Sequence, residues 1–151
     1  MFKEAIILAG GFGTRLQSVV NDRPKVLAPV RGRPFLSWIL DYLEDAGVSK
    51  VILATGYLHE AVEETFSNRY KNIEIEYSQE TEPLGTGGAI KKAMQRIEGK
   101  RALVMNGDTL FRVNLSKFYD FTLTNQAPAA LVLREVEDVT RYGAICLDTK
   151  N

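Results

Sequence analysis

The sequence feature that most limits how this chain can fold is a strand-like apolar run that is followed directly by glycines. Residues 5–9 read Ala-Ile-Ile-Leu-Ala, and residues 10–16 read Gly-Gly-Phe-Gly-Thr-Arg-Leu. An unbroken run of branched apolar residues is typical of a parallel strand that is buried on both faces. The glycines at its end let the backbone turn and approach a ligand, and their exposed amides can bind an anion. The stretch therefore predicts an α/β fold with a phosphate-binding loop after the first strand.

Two cationic side chains accompany this loop. Arg15 lies within it, and Lys25 follows Pro24 after the polar segment 18–23. Such side chains form charge-assisted hydrogen bonds with phosphate oxygens. Taken separately, a lysine after a proline is ordinarily a solvated loop residue, and three glycines can mark no more than a tight turn. Their combination favours a phosphate site.

The better-known glycine motifs do not fit this loop. A dinucleotide-binding fingerprint counted from Gly11 needs a glycine or alanine where Leu16 stands. A P-loop needs Gly-Lys followed by serine or threonine, which this segment lacks. The sequence therefore indicates a different kind of phosphate-binding loop.

Further along the chain, strand patterns alternate with helix patterns. Apolar runs at 51–55 and 102–105 predict buried strands, and the two-residue alternation at 73–78 predicts a strand at a sheet edge. Another strand is predicted at 129–136. Apolar residues at helical spacing separate these segments. The order predicts a Rossmann-like, doubly wound, mostly parallel (mixed) sheet with helices on both faces.

Two polar segments follow these strands. Ligands of open α/β sheets bind beyond the carboxyl ends of the strands, so both segments are expected near the first glycine loop. Residues 84–89, Leu-Gly-Thr-Gly-Gly-Ala, open a predicted helix and imply a second ligand-facing turn or a flexible connection. Asp108 follows the strand at 102–105. An aspartate after a glycine often forms a turn, but beside phosphates it predicts a ligand for Mg2+, which prefers oxygen.

Composition limits the classes of partner. Lysine plus arginine number 19, as do aspartate plus glutamate, so the formal net charge is zero and neither nucleic acid nor a membrane is an expected partner. The single cysteine, Cys146, excludes an internal disulfide, and the N-terminus has no signal pattern. We expect a cytoplasmic protein with small-molecule ligands. The only histidine, His59, is expected at the surface among carboxylates.

The motifs together resemble the signature of the sugar-1-phosphate nucleotidyltransferases. The resemblance rests on residues 8–16 with Pro24-Lys25, on residues 84–89, and on Gly107-Asp108. It implies transfer of a nucleoside monophosphate from a nucleoside triphosphate to a sugar 1-phosphate, with Mg2+ and release of pyrophosphate. The motifs are most similar to those of guanylyltransferases, which implies GTP as the favoured nucleotide. Heptose 1-phosphate is then the favoured acceptor, with mannose 1-phosphate or another hexose 1-phosphate as the alternative.

The resemblance also implies roles for individual residues. Arg15 and Lys25 are the catalytic candidates, for the leaving phosphates and the α-phosphoryl group respectively, and Asp108 is the metal ligand. Tyr142 and Gly143 correspond to a sugar-binding segment. The nucleotide-binding candidates are Leu8, Ala9, Gly10, Gly11, Gly13, Thr14, Gln79 and Gly88. The last two of these correspond to positions that meet the base.

The resemblance covers the whole chain but only about two thirds of a complete family member, judged by what a full domain needs. We therefore expect residues 1–151 to be one domain, the N-terminal nucleotide-binding portion, without its C-terminal substrate elements. An active enzyme, a catalytically impaired nucleotide-binding fragment and a structural partner remain open. If 142–147 is a strand whose hairpin partner is missing, its exposed edge favours self-association as a homo-oligomer.

Overall fold

The computed structural model describes residues 1–11, 24–138 and 145–146. The strands are β1 (Glu4–Leu8), β2 (Pro29–Val30), β3 (Arg33–Pro34), β4 (Lys50–Thr55), β5 (Arg69–Tyr70), β6 (Ile73–Gln79) and β7 (Leu103–Asn106). The helices are α1 (Phe35–Asp45), α2 (His59–Phe66), α3 (Gly85–Ala93) and α4 (Leu115–Thr124). Over these ranges, no helix is long and apolar enough to cross a membrane.

Strand β1 lies inside the sheet, as its continuous apolar sequence predicts. The strand order is β5-β6-β4-β1-β7, and β1 pairs in parallel with both β4 and β7. Strand β6 is parallel to β4, whereas β5 is antiparallel to β6. The sheet is therefore mixed and mostly parallel, which confirms the fold class predicted from the sequence.

Helices cover both faces of the sheet. Because successive residues of a strand point to opposite faces, neighbouring residues of β1 pack against different helices. Ile7 belongs to the larger core cluster, which includes residues of α1, α2 and α4 such as Leu40, Val62 and Leu115. Its neighbour Ile6 belongs to the smaller cluster, which contains Ala89 and Ala93 of α3. Burial on both faces explains the lack of polar residues in the middle of β1.

The prediction of a strand at 129–136 is wrong. The structure has no strand over these residues, and Leu131 and Leu133 are exposed. A β-strand needs a neighbouring strand to accept its backbone hydrogen bonds, and these residues pair with no described strand. Of the strand expected at 142–147, only Ile145 and Cys146 are described, and they are not in a strand.

His59 was expected at the surface, and this prediction is also wrong. The side chain is buried in the first turn of α2, where its Nδ1 atom lies 2.9 Å from the Thr55 hydroxyl. Its ring packs edge-on against Tyr77, with 5.4 Å between the ring centres. Charges next to a residue in sequence do not reveal that the turn folds back onto the sheet.

Candidate functional site

A cavity of about 430 Å³ lies at the carboxyl ends of β1, β4 and β7. It brings together predicted site residues that are far apart in the sequence, namely Leu8, Ala9, Gly10, Gly11, Lys25 and Asp108. Its lining also includes Gly85, Thr86 and Ala89 of the second glycine segment. The other lining residues, which the sequence analysis did not single out, are Val26, Ala54, Glu80, Pro83 and Asn106. The cavity is where ligands are expected in an open α/β sheet.

The glycine loop begins in close contact with the end of the neighbouring strand. The Ala9 amide donates a hydrogen bond to the Ala54 carbonyl at 2.7 Å, which continues the parallel ladder beyond β1. A Cβ atom on Gly10 would lie 3.2 Å from the Gly56 nitrogen and 3.3 Å from the Thr55 carbonyl carbon. Glycine thus allows the two chain segments to pass each other at the edge of the cavity.

Gly107 fixes the position of Asp108 in a similar way. Its amide donates a hydrogen bond to the Leu8 carbonyl at 2.8 Å, which ties the end of β7 to the end of β1. A Cβ atom at this position would lie 2.9 Å from both the Leu8 oxygen and the Val26 Cγ1 atom. Only glycine fits there without displacing its neighbours, and the next residue, Asp108, therefore lies at the cavity rim.

We expect Gly107→Ala to destabilise the protein by about 1–3 kcal/mol, because overpacking of a tight site displaces neighbouring atoms. Gly87→Ala is the matched control, since a Cβ atom on that residue of α3 meets nothing within 4 Å. The control should be stabilised by roughly 0.5–1 kcal/mol, because alanine favours the helix. Urea unfolding measures both values. A Gly107→Ala variant as stable as the unchanged protein would contradict the close fit described here.

Lys25 is positioned by a short 3-10 turn, Lys25–Leu27. The next two residues, Val26 and Leu27, are buried in the main core and anchor the turn. The Leu27 amide donates to the Pro24 carbonyl and the Ala28 amide to the Lys25 carbonyl, both at 2.9 Å. The buried neighbours therefore hold the lysine backbone at the cavity while its side chain reaches the rim.

The hairpin after this turn is held by a polar cluster. Arg33 donates hydrogen bonds of 2.8 Å to the Asp41 carboxylate and to the Tyr70 hydroxyl, and Tyr70 donates to Asp41 at 2.8 Å. Burial on its own would raise the pKa of Asp41, but hydrogen bonds from Lys71, Arg33 and Tyr70 lower that pKa to about 2. The cluster fastens the β2–β3 hairpin to α1.

Lys25 and Asp108 face each other across the rim. The Lys25 Nζ atom lies 3.9 Å from the Asp108 Oδ2 atom, and their side chains are 26% and 48% exposed. A cation and a carboxylate so placed can bind a phosphate and the metal ion that accompanies it. The described part of the chain holds no group of three or more side chains that could bind a metal by themselves. One carboxylate nevertheless fits Mg2+, which usually takes one or two carboxylates together with substrate phosphates and water.

Glu80 is a site residue that the sequence analysis missed. It continues the alternation of β6, so it lies on the same side as Ser78, which pairs with Ala54 of β4. Gln79 has the opposite parity and is exposed; its carbonyl accepts a hydrogen bond from Lys92 at 2.6 Å. If the two-residue alternation of β6 is extended to position 80, it identifies Glu80 rather than Gln79 as the residue that faces the cavity.

Several predicted residues do not line the cavity or are not described. Gln79 and Gly88 lie in the described part of the chain but are not among the lining residues. The remaining candidates fall outside the described residues, and these are Gly13, Thr14, Arg15, Tyr142 and Gly143. Their roles, like the base contacts of Gln79 and Gly88, stay predictions.

Comparison with known proteins finds one protein family and several individual proteins that this chain resembles. The family model described as nucleotidyl transferase matches residues 4–151. A D-glycero-alpha-D-manno-heptose 1-phosphate guanylyltransferase from Aneurinibacillus thermoaerophilus is 49% identical over 94% of this chain and 62% of its own length. Another protein of that name, from Campylobacter jejuni, is 43% identical over 98% of this chain and 65% of its own length. This chain thus spans less than two thirds of the length of these relatives.

The fold has a solved counterpart. HddC from Yersinia pseudotuberculosis, in a crystal structure complexed with GMP-PN, superposes with a TM-score of 0.78 at 36% identity. The match covers 99% of this chain and 65% of the other.

Proposed function

Because this chain belongs to the nucleotidyl transferase family, we propose that it binds a nucleoside triphosphate in the cavity at the strand ends and transfers a nucleoside monophosphate to a sugar 1-phosphate. The observation that carries this proposal is the meeting of Lys25 and Asp108 beside the first glycine loop. Amides, a cation and a metal-binding carboxylate are the groups that a triphosphate requires.

We propose GTP and D-glycero-D-manno-heptose 1-phosphate as the substrates, which gives GDP-heptose. The two relatives described above carry a heptose 1-phosphate guanylyltransferase name at 49% and 43% identity. A mannose-1-phosphate guanylyltransferase from Mycobacterium tuberculosis is 36% identical over 98% of this chain and 42% of its own length. Mannose 1-phosphate is therefore the second candidate acceptor.

The proposed chemistry is an in-line displacement at the α-phosphorus. An oxygen of the sugar phosphate forms a bond to this phosphorus, the bond to the bridging oxygen breaks, and pyrophosphate leaves with the electron pair. Such a transfer depends mainly on positioning and on stabilisation of the developing charge. Lys25 is assigned to the α-phosphoryl group and the incoming phosphate, and Arg15 to the leaving β and γ phosphates.

Asp108 is assigned to a divalent metal ion, which we propose to be Mg2+. The ion, when bound, neutralises charge on the phosphate oxygens. The position of Asp108 at the rim, next to Lys25, leaves its carboxylate available on the side where the phosphates are expected. Asn106 also lines this part of the cavity.

Other parts of the proposal rest on sequence similarity. Tyr142 and Gly143 are assigned to the sugar, and residues 1–151 to one nucleotide-binding portion of the catalytic domain. A cytoplasmic location fits the synthesis of a nucleotide sugar. A homo-oligomer through the C-terminal segment is a further proposal, which rests on the unpaired strand edge expected from the sequence at 142–147 and not on similarity. If transfer needs residues beyond these, the chain acts as a nucleotide-binding fragment.

A pyrophosphate-release assay tests this function. It combines GTP, ATP, CTP or dTTP with heptose 1-phosphate, mannose 1-phosphate and glucose 1-phosphate, with the Campylobacter jejuni relative as a parallel control. We expect GTP with heptose 1-phosphate to give the highest kcat/KM, by about tenfold or more over the other nucleotides. Highest activity with another nucleotide would contradict the guanylyltransferase assignment. Binding without turnover would favour the nucleotide-binding fragment.

A further inference from the structure

We propose that Tyr42 is a positioning residue for the metal-binding carboxylate, because its hydroxyl holds the far end of the loop that carries Asp108. The inference rests on the proposed nucleotide site and adds to it a residue outside the cavity. Tyr42 lies on α1, is half-buried, and is not among the residues that line the cavity. Any effect of Tyr42 on nucleotide binding must therefore pass through the backbone that it holds.

The loop between β7 and α4, residues 107–114, is tied to the rest of the fold at both ends. At its start, the Gly107 amide donates to the Leu8 carbonyl. At its other end, the Tyr42 hydroxyl donates a hydrogen bond of 2.7 Å to the Val113 carbonyl and accepts one of 3.2 Å from the Val113 amide. One side chain thus meets both backbone polar groups of one residue, which fixes the orientation of this part of the loop as well as its position.

The core supports the loop only in part. Leu110 and Val113 pack against the larger core cluster but are not fully buried, and Asp108 is exposed. Apolar contacts are non-directional, so they hold the loop against the core without fixing its rotation. A hydrogen bond has a preferred distance and angle, so the Tyr42 hydroxyl supplies the directional contact that packing lacks.

Helix α1 also holds the lysine side of the rim. The amide of Phe35, the first residue of α1, donates to the Ala28 carbonyl at 2.9 Å, and the Ala28 amide donates to the Lys25 carbonyl at the same distance. Phe35 and Tyr42 are seven residues apart, so they lie on the same side of the helix, about two turns from each other. Helix α1 is thus a common support for the turn that carries Lys25 and the loop that carries Asp108.

This common support accounts for the meeting of Lys25 and Asp108 at 3.9 Å. Mg2+ demands near-ideal octahedral geometry, so a small displacement of the carboxylate weakens its contact with the ion. Loss of the Tyr42 hydroxyl should therefore weaken the Mg2+-dependent part of GTP binding and leave the Mg2+-independent part nearly unchanged.

Tyr42→Phe removes the hydroxyl and keeps the ring that packs against the core. Calorimetric titration with Mg2+ should show that its affinity for GTP is about three- to fivefold lower than that of the unchanged protein, the effect of about one hydrogen bond. With a chelator in place of Mg2+, the two affinities should agree within about twofold. Amide hydrogen exchange of residues 108–113 should also become about three- to fivefold faster, which measures the loosened loop directly.

Tyr77→Phe is the matched control, because the Tyr77 hydroxyl also donates to a backbone carbonyl, that of Ser67, at 2.6 Å. Tyr77 belongs to β6 and does not line the cavity at the strand ends. Both variants should lose about 2–4 °C of melting temperature, as expected for a lost hydrogen bond in a chain of this length. Only Tyr42→Phe should lose Mg2+-dependent affinity for GTP.

The outcomes separate this inference from the proposed function. If Tyr42→Phe keeps its full Mg2+-dependent affinity although its loop exchanges faster, the hydrogen bonds serve folding alone and the positioning role is refuted. An equal loss of GTP affinity with and without Mg2+ would also refute it. If the unchanged protein binds no GTP, or binds it equally well without Mg2+, the proposed metal-dependent nucleotide site fails and this inference fails with it.

Discussion

Replacing Lys25 with methionine should lower kcat by about 10²- to 10³-fold, the range found when one preorganised group is removed from a charged transition state. The lysine charge lies at the cavity rim, 3.9 Å from Asp108, and is assigned to the α-phosphoryl group. Methionine keeps an unbranched apolar stem, so the packing of the turn around Val26 should be preserved. The melting temperature should therefore change little.

The measurement is steady-state pyrophosphate release with saturating GTP and sugar phosphate, together with thermal unfolding. Lys91→Met is the matched control, because Lys91 is exposed on α3 and does not line the cavity. The control should retain full turnover. A loss of turnover in the control as large as in Lys25→Met would show that general charge, not the position of Lys25, is responsible.

Much of the fold can be predicted from the sequence where a pattern of residues has a single physical cause, such as burial of a strand on both faces. The unbroken apolar run of β1 reflects burial by α3 on one side and by α1, α2 and α4 on the other, so its central place in the sheet could be foreseen. The meeting of Lys25 and Asp108 follows from the rule that loops at the carboxyl ends of parallel strands share one edge.

The features that could not be predicted from the sequence depend on tertiary packing. His59 is buried because the start of α2 contacts Thr55 and Tyr77, and local charges give no sign of that contact. Residues 129–136 have the composition of a strand, but composition cannot supply a pairing partner. Glu80 was not predicted because the resemblance assigns the base contact to Gln79, although the strand alternation places Glu80 on the cavity side.

Asp108→Asn should lower kcat by about 10²-fold or more, because the neutral amide is a much weaker ligand for a hard divalent cation. Asparagine has nearly the same shape as aspartate, and the tight fit of Gly107 beside Leu8 should keep the backbone in place. The variant should also need a higher Mg2+ concentration for half-maximal turnover. Pyrophosphate release measured across an Mg2+ series gives both values.

Asp120→Asn makes the same chemical change at an exposed position of α4 and serves as the control. Its turnover and its Mg2+ requirement should match those of the unchanged protein. An Asp108→Asn variant with normal turnover at every Mg2+ concentration would remove Asp108 from the metal site.

Calorimetric titration of GTP into this chain, with Mg2+ and with a chelator, tests the central claim that the glycine loop, Lys25 and Asp108 form a metal-dependent nucleotide site. We predict that the unchanged protein binds GTP at least about tenfold more tightly with Mg2+ than without it, whereas Asp108→Asn binds GTP with similar affinity in both conditions. Equal affinity of the unchanged protein with and without Mg2+, or the same Mg2+ dependence in Asp108→Asn, would contradict the claim.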